Sequence, residues 1–339
     1  MLDILPSLVG KDDGFRATIG EADFTMIAIS EEKVIDYDTT ARLATEAFGS
    51  SGVVFSAERM KWLYERSFGE GTIVLAATDD GVKIGQIALV RQTLHCDGRP
   101  CSAIQLVDLF IAKDHRSPQL IRRIYKEVEQ ICVDRKIRFI LAMPNENAKQ
   151  LNARLLKLKP LLWLQVRAGA TLLPPRRSEL KYSGYLKSLT PKEAVDLLSG
   201  FDTEATENGL RWYGEVLFSR MNDPTCDYAI HAAADLVLIS STRKTKGVGY
   251  TLLCGFLARP LATVTSADVR ELVRAACYFW KRPLFAYAGV NDRLPALPGM
   301  ALPSRLRPPM LVQLRDFAAQ APDIQLSRFQ LIDSDFVRF

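Results

Sequence analysis

Apolar residues recur at helical spacing through Tyr37–Phe48, which stops at Gly49, and again through 57–68, closed by Gly69 and Gly71. These are the chain's first clear elements, two successive helices. The continuous β-rich run 72–78, the turn Asp79-Asp80-Gly81 and the apolar run 83–93 predict a hairpin. Asp97-Gly98 marks a second turn, and 101–111 reads as a strand apolar on both sides near its end, hence central in its sheet. In Pro118–Asp134, Leu120, Ile121, Ile124, Val128, Ile131 and Cys132 fall on one face. Arg122, Arg123, Lys126, Glu127 and Glu129 fall on the other, which makes this an amphipathic helix. A strand at 138–142, a break at Pro144-Asn145, a helix at 148–158 and a strand at 162–166 close the unit. From Tyr37 the order is α-α-β-β-β-α-β-α-β; ahead of it stands only a short strand at 24–29.

Residues 169–190 hold Pro174, Pro175, two glycines and a basic excess, a composition that suits a surface linker. Beyond them the pattern predicts helices at 191–198 and 210–221, strands at 228–233, 236–240 and 249–257, and a helix at 266–279. Strands at 284–290, 310–314 and 329–332 follow. The halves repeat one scheme: Trp62 and Trp212 each precede a strand pair, a central strand, an amphipathic helix and a strand ending near an asparagine, Asn145 or Asn291. A period this long points to domain duplication, with units at 20–168 and 191–339, rather than to a solenoid.

With 339 residues, 48% hydrophobic and 24% charged, the chain carries enough apolar surface for two packed cores, which excludes wholesale disorder. A net charge of +5 over that length is too dilute for a nucleic-acid binder, though it suits anionic small ligands. No apolar stretch reaches the about 18 residues that span a bilayer, and residues 1–10 lack the pattern of a secretory leader. Six scattered cysteines in apolar surroundings fit a reducing cytoplasm. Cys96 and Cys101 flank a turn beside His95, but no fourth ligand follows, so no metal is expected. The three histidines are far apart and no nucleophilic triad is legible.

The run Gln105-Leu-Val-Asp-Leu-Phe-Ile-Ala-Lys-Asp-His-Arg116, the helix after it and Phe139-Ile-Leu-Ala-Met-Pro-Asn145 resemble the Gcn5-related N-acetyltransferase (GNAT) superfamily. The resemblance covers 37–166; the second half resembles the degenerate partner of tandem GNAT proteins by element order. It implies an α/β (α+β) fold of two tandem GNAT-like domains, each a mixed, mostly antiparallel twisted sheet flanked by helices. The first would have a splayed parallel strand pair. It further implies acetyl-CoA as acyl donor, its pantetheine arm lying between strands 105–111 and 139–142. Backbone N–H groups around Leu109, Phe110 and Ile111 would polarise the thioester carbonyl. The pyrophosphate would rest on the loop and helix start bearing Arg116, Ser117, Gln119, Leu120, Ile121 and Arg122, and Asn145 would contact the arm. Asp108 is the implied base.

The chain departs from the family at two points. Where the phosphate loop ordinarily carries small residues, Gln119 and Ile121 stand, and Pro118 removes one N–H. Side chains of Arg116, Ser117, Arg122 and Arg123 could substitute; the same residues equally describe a helix opened by proline with arginines on its solvated face. The tyrosine that protonates the departing thiolate is missing between Asn145 and Trp163, with Asn152 near its place. Thiols ionise near pH 8 to 9, so the leaving group tolerates the loss. Asp108 also reads as a carboxylate capping a strand end, and Asn145 as ordinary turn chemistry. Tyr125 and Trp62 read as packing groups.

The expected function is acyl-CoA-dependent N-acyl transfer, with acetyl passing to an amine of a small molecule, protein or peptide by direct attack. The alternatives are a non-catalytic tandem-GNAT binding protein and an aminoacyl-tRNA-dependent transferase; neither a membrane nor nucleic acid is an expected partner. The C-terminal run Asp333-Ser-Asp-Phe-Val-Arg-Phe339 reads either as a last strand pinned by Phe336 or as a tail reaching the first domain's site.

Overall fold

The computed structural model describes residues 27–49, 54–176, 179–201, 208–319 and 324–334. Residues 24–26 of the expected strand at 24–29 lie outside them, as do the last five residues of the C-terminal run; strand β1 is Ala28–Glu31. Helix α1 (Tyr37–Phe48) starts where the Asp36 carboxylate accepts the Thr39 N–H at 3.0 Å, and α2 (Ala57–Glu65) starts at a Ser56 cap. Strands β2 (Thr72–Asp79), β3 (Val82–Cys96) and β4 (Arg99–Ile111) form an antiparallel meander. Helix α3 (Pro118–Asp134) opens with Ser117 as cap and proline at its first position. It lays Leu120, Ile124, Tyr125, Val128 and Cys132 on the sheet. Full burial of such aliphatic side chains stabilises by about 1.5–3 kcal/mol each before chain entropy is counted. Strand β5 (Phe139–Ala142), helix α4 (Glu146–Leu155) and strand β6 (Lys159–Leu164) follow.

The chain then leaves the first sheet. The expectation of one closing strand at 162–166 is corrected: after Gln165 the chain continues extended as β7 (Val166–Ala170), which joins the second sheet. One intervening residue cannot turn the chain back into a hairpin, so β7 must pair elsewhere. The expected linker 169–190 also carries an edge strand, β8 (Tyr182–Tyr185). Helix α5 (Pro191–Ser199), strand β9 (Gly209–Leu210), helix α6 (Gly214–Met221) and strands β10 (Ala229–Ala232), β11 (Leu236–Thr245) and β12 (Val248–Ala258) come next. Helix α7 (Ser266–Trp280), strands β13 (Leu284–Asn291), β14 (Met300–Ala301), β15 (Met310–Asp316) and β16 (Arg328–Gln330) complete the order.

The first sheet runs β1-β2-β3-β4-β5-β15-β6 with β9 on β3, and the second runs β14-β7-β13-β12-β11-β10-β8 with β16 on β13. Both are mixed sheets, antiparallel except at β4–β5 and β12–β13. The exchange is reciprocal. Strand β15, from the second half, sits between β5 and β6; β7, from the first, sits between β13 and β14. One shared core joins the halves, with Leu94, Leu141 and Val90 from one side and Trp212, Ala288 and Ile332 from the other. Among the described residues no helix is long and apolar enough to cross a membrane.

Candidate functional site

Strands β4 and β5 pair in parallel only over Ala103–Leu106 and Phe139–Ala142. Past that point β4 runs on to Ile111 beside β3, whereas the chain after Ala142 meets Pro144, which has no N–H to donate, and turns into α4. The strands therefore part. Two cavities of about 210 and 130 Å³ occupy the opening and share Phe48, Leu109, Asn145 and Ala148 as walls. Together they make a slot from Gln105 and Tyr125 at one end to Arg116 and Ile121 at the other.

The end of β4 is bent at the slot. Gln86 stands opposite Phe110 but Ala88 opposite Val107, so β4 holds an extra residue, a β-bulge at Asp108 and Leu109. Asp108 has φ +49°; of the eight non-glycine residues with positive φ among those described, it alone lies inside a strand. Such backbone costs about 1–2 kcal/mol for an L-residue, and strained positions of this kind cluster at functional sites. Gly85 opposite Ile111 permits the close approach, since a Cβ there would stand 2.6 Å from the Phe110 carbonyl oxygen.

Asp108 lines the larger cavity, and its Oδ2 accepts the Tyr64 hydroxyl at 2.8 Å. Tyr64 in turn accepts Gln86 Nε2 at 2.7 Å. Across the cavity the Tyr125 hydroxyl donates to Asn152 Oδ1 at 2.7 Å; burial pushes this phenol well above its ordinary range. Asn152 Nδ2 donates to Gln313 Oε1 at 3.2 Å, and Gln313 lies on the exchanged strand β15, so the second half braces the slot wall. Gln105, also lining the cavity, accepts Gln92 Nε2 at 3.0 Å.

The sequence-predicted residues divide into two groups. Asp108, Leu109, Phe110, Ile111, Arg116, Ile121 and Asn145 all line the slot. Arg116 is exposed at the slot's rim, its Nε donating to Ile111 O at 3.0 Å and Nη2 to Ala47 O at 3.4 Å. Asn145 caps α4 through Ala148 N–H at 2.8 Å. Ser117, Gln119, Leu120 and Arg122 do not line it: the Ser117 hydroxyl caps the Leu120 N–H at 3.1 Å, Leu120 is core, and Gln119 and Arg122 are exposed. Sequence reasoning missed Tyr64, Gln86, Gln105 and Ala148, and took Tyr125 for packing. The helical spacing that put Tyr125 on the buried face contains no sign of where its hydroxyl ends.

The second half repeats the geometry and closes it. Strands β12 and β13 pair in parallel only over Thr251–Leu253 and Phe285–Tyr287, and β12 also bulges, next to Leu253. The gap beyond is filled by β16, antiparallel to β13 at Gly289–Asn291. The Gln330 side-chain amide spans it, accepting Phe256 N–H at 2.8 Å and donating Nε2 to Phe256 O at 2.9 Å. Phe256 stands three residues past the last parallel pair, as Leu109 does in β4. The plug is held by Asp333, which accepts Gln330 N–H at 2.7 Å and Trp212 Nε1 at 2.5 Å; burial raises its carboxyl, opposed by Arg328 at 3.6 Å.

No family model and no curated protein matches the chain. Solved structures do. A conserved protein of unknown function from Enterococcus faecalis V583, titled a probable N-acyltransferase, superposes with TM-score 0.60 at 12% identity, covering 86% of this chain and 73% of its own. Saccharomyces cerevisiae N-myristoyltransferase with bound myristoyl-CoA superposes with TM-score 0.53 at 13% identity, covering 94% and 85%. A tandem GNAT protein from the clavulanic acid biosynthesis pathway gives 0.52 at 9%, covering 87% and 100%. The likeness shows the fold: two tandem GNAT-like domains with a parallel pair parted in the first.

Proposed function

We propose that the protein is an acyl-CoA-dependent N-acyltransferase, with acetyl-CoA as donor in the first-half slot and an amine of a small molecule or peptide as acceptor. The observation that carries this reading is the slot itself, set beside its plugged counterpart. Where the second half seats the Gln330 amide on Phe256, the first half offers Leu109 and a cavity among the described residues. An extended arm bearing amides fits that position, as a strand's peptide group would. The structural neighbours, among them one with bound myristoyl-CoA, support acyl transfer as the chemistry of this fold.

On this reading the bulge at Asp108 and Leu109 aims backbone N–H groups at the thioester carbonyl, where they would stabilise the oxyanion as the amine attacks. Asp108 takes the proton from the incoming ammonium. The thiolate leaves without a tyrosine on α4, beside the Tyr125–Asn152 pair. At the phosphate end Pro118 has no N–H and Leu120's is engaged by Ser117, so the phosphates depend on cationic side chains, Arg116 and the exposed Arg122. That same feature favours one second reading, a non-catalytic protein that holds an acyl carrier in the slot.

Isothermal titration with acetyl-CoA tests the donor, and turnover of an amine panel by wild type and Asp108→Asn separates the two readings. Saturable binding with turnover lost in the variant supports the enzyme. Absence of binding at millimolar acetyl-CoA contradicts the enzyme, and turnover of any amine contradicts the non-catalytic reading.

A further inference from the structure

Asp108 ends a relay of hydrogen bonds that starts at buried Gln86 on β3 and runs through Tyr64 on α2 to the bulge. We infer that Tyr64 is a positioning residue that holds the Asp108 carboxylate in its ionised form and in one orientation, with Gln86 fixing the direction of the phenol's proton. The inference deepens the proposed function and rests on its reading of Asp108 as the base.

Gln86 Nε2 donates to the Tyr64 oxygen at 2.7 Å, so the phenol's own hydrogen is left to point onward, and it donates to Asp108 Oδ2 at 2.8 Å. A relay of two donors in series ends on an acceptor, and a donor aimed at a carboxylate oxygen favours its ionised form. Gln86 is fully buried and Tyr64 is 2% exposed, so the bond between them is shut off from solvent, while the one to Asp108 is part-buried at the cavity wall. The buried Gln86 Oε1 has no hydrogen-bond partner, a cost the fold carries while Nε2 stays on Tyr64. Asp108, at a left-handed φ of +49°, meets α2 through this bond.

Neighbouring polar and charged side chains make bonds of their own. From α1, Tyr37 tilts against the Tyr64 ring with centroids 6.3 Å apart and spends its hydroxyl on Glu65 at 3.0 Å. On α2, Arg59 lies 3.8 Å from Asp223 of the second half. From α3, Tyr125 is bonded to Asn152, and past the end of β4 Arg116 is bonded to backbone carbonyls. Asp108 is the one charged side chain lining the larger cavity among the described residues.

Tyr64→Phe keeps the ring and removes one donor to a carboxylate. A hydrogen bond to a charged group corresponds to about one to two pH units. The acid limb of the kcat/KM profile is expected to move up by that amount, with the donor's KM unchanged. The 13C titration midpoint of the Asp108 carboxyl, read by NMR without turnover, is expected to move with it. Gln86→Leu, which frees the phenol to rotate, is expected to move both in the same direction by less, and it serves as well should Tyr64→Phe fail to fold. If Asp108→Asn retains wild-type turnover, the base assignment fails, and the inference with it. If Asp108→Asn is inactive but the acid limb and the carboxyl midpoint stay in place in both relay variants, the positioning role alone is overturned.

Discussion

His231 on β10 gives the sharpest quantitative expectation for the second half. It is fully buried, with Nδ1 2.8 Å from Ser183 Oγ on β8 and Nε2 2.8 Å from Ser240 Oγ on β11. Phe279 packs on it edge-on at 5.6 Å, and Trp280 Nε1 donates to the same Ser240 oxygen at 2.9 Å. Burial pushes its pKa down to about 3 from an ordinary 6.5. The unfolded chain therefore takes up a proton below pH 6.5 that the folded chain refuses until about pH 3, and stability falls as pH falls through that window. At 1.36 kcal/mol per unit, the difference amounts to about 2 kcal/mol at pH 5 and about 4 kcal/mol at pH 3, where the folded histidine is itself half protonated. The window from pH 6.5 to 5 lies above most carboxylate titrations, and the other two histidines cancel in a comparison with a variant at position 231. Equilibrium urea unfolding, followed by tryptophan fluorescence, reads the loss in wild type and in His231→Gln, which keeps a donor and an acceptor but does not titrate. Wild type is expected to lose about 2 kcal/mol more than the variant between pH 7 and 5. Parallel losses in the two proteins would refute the reasoning.

Four further outcomes are expected. Gln330→Ala strips the partner from Phe256 N–H and from the Tyr287 hydroxyl, 3.0 Å away, and leaves a hole; a loss of about 3–5 kcal/mol in urea unfolding is expected. With the plug intact, calorimetry is expected to count one acetyl-CoA per chain. Gln313→Ala leaves the buried Asn152 amide without its acceptor, so about 1–3 kcal/mol of stability and some donor affinity should go together, although residue 313 lies in the second half. Gly85→Ala puts a methyl 2.6 Å from the Phe110 carbonyl oxygen; thermal unfolding should drop and donor binding weaken as the bulge shifts.

Local elements were legible in the chain because their signals are local. Tyr37–Phe48 and Pro118–Asp134 have the bounds their caps and periodicity predict, and the central, doubly buried strand is β4 beside its parallel partner β5. The strand exchange was not. Leu164 and Val166 are both buried around an exposed Gln165, an alternation that reads as one strand, and only pairing with residues far along the chain sends its two ends to different sheets. Of the candidate slot, Asp108, Leu109 and Ile111, which the GNAT resemblance implied at the end of a strand, do line it. Its side-chain partners were not legible, because Tyr64 lies 44 residues from Asp108 and Gln86 lies 22 from Tyr64, with no pattern linking them. The helix start at Ser117 and Pro118 kept the capping chemistry its sequence shows.

A crystal structure of the protein grown with acetyl-CoA tests the central claim most directly. The account predicts an extended arm between residues 107–111 and 142–145, an amide of the arm on the backbone at Leu109, and the thioester beside Asp108. Density for the donor at any other place, or the slot closed and empty beside saturating donor, would contradict it.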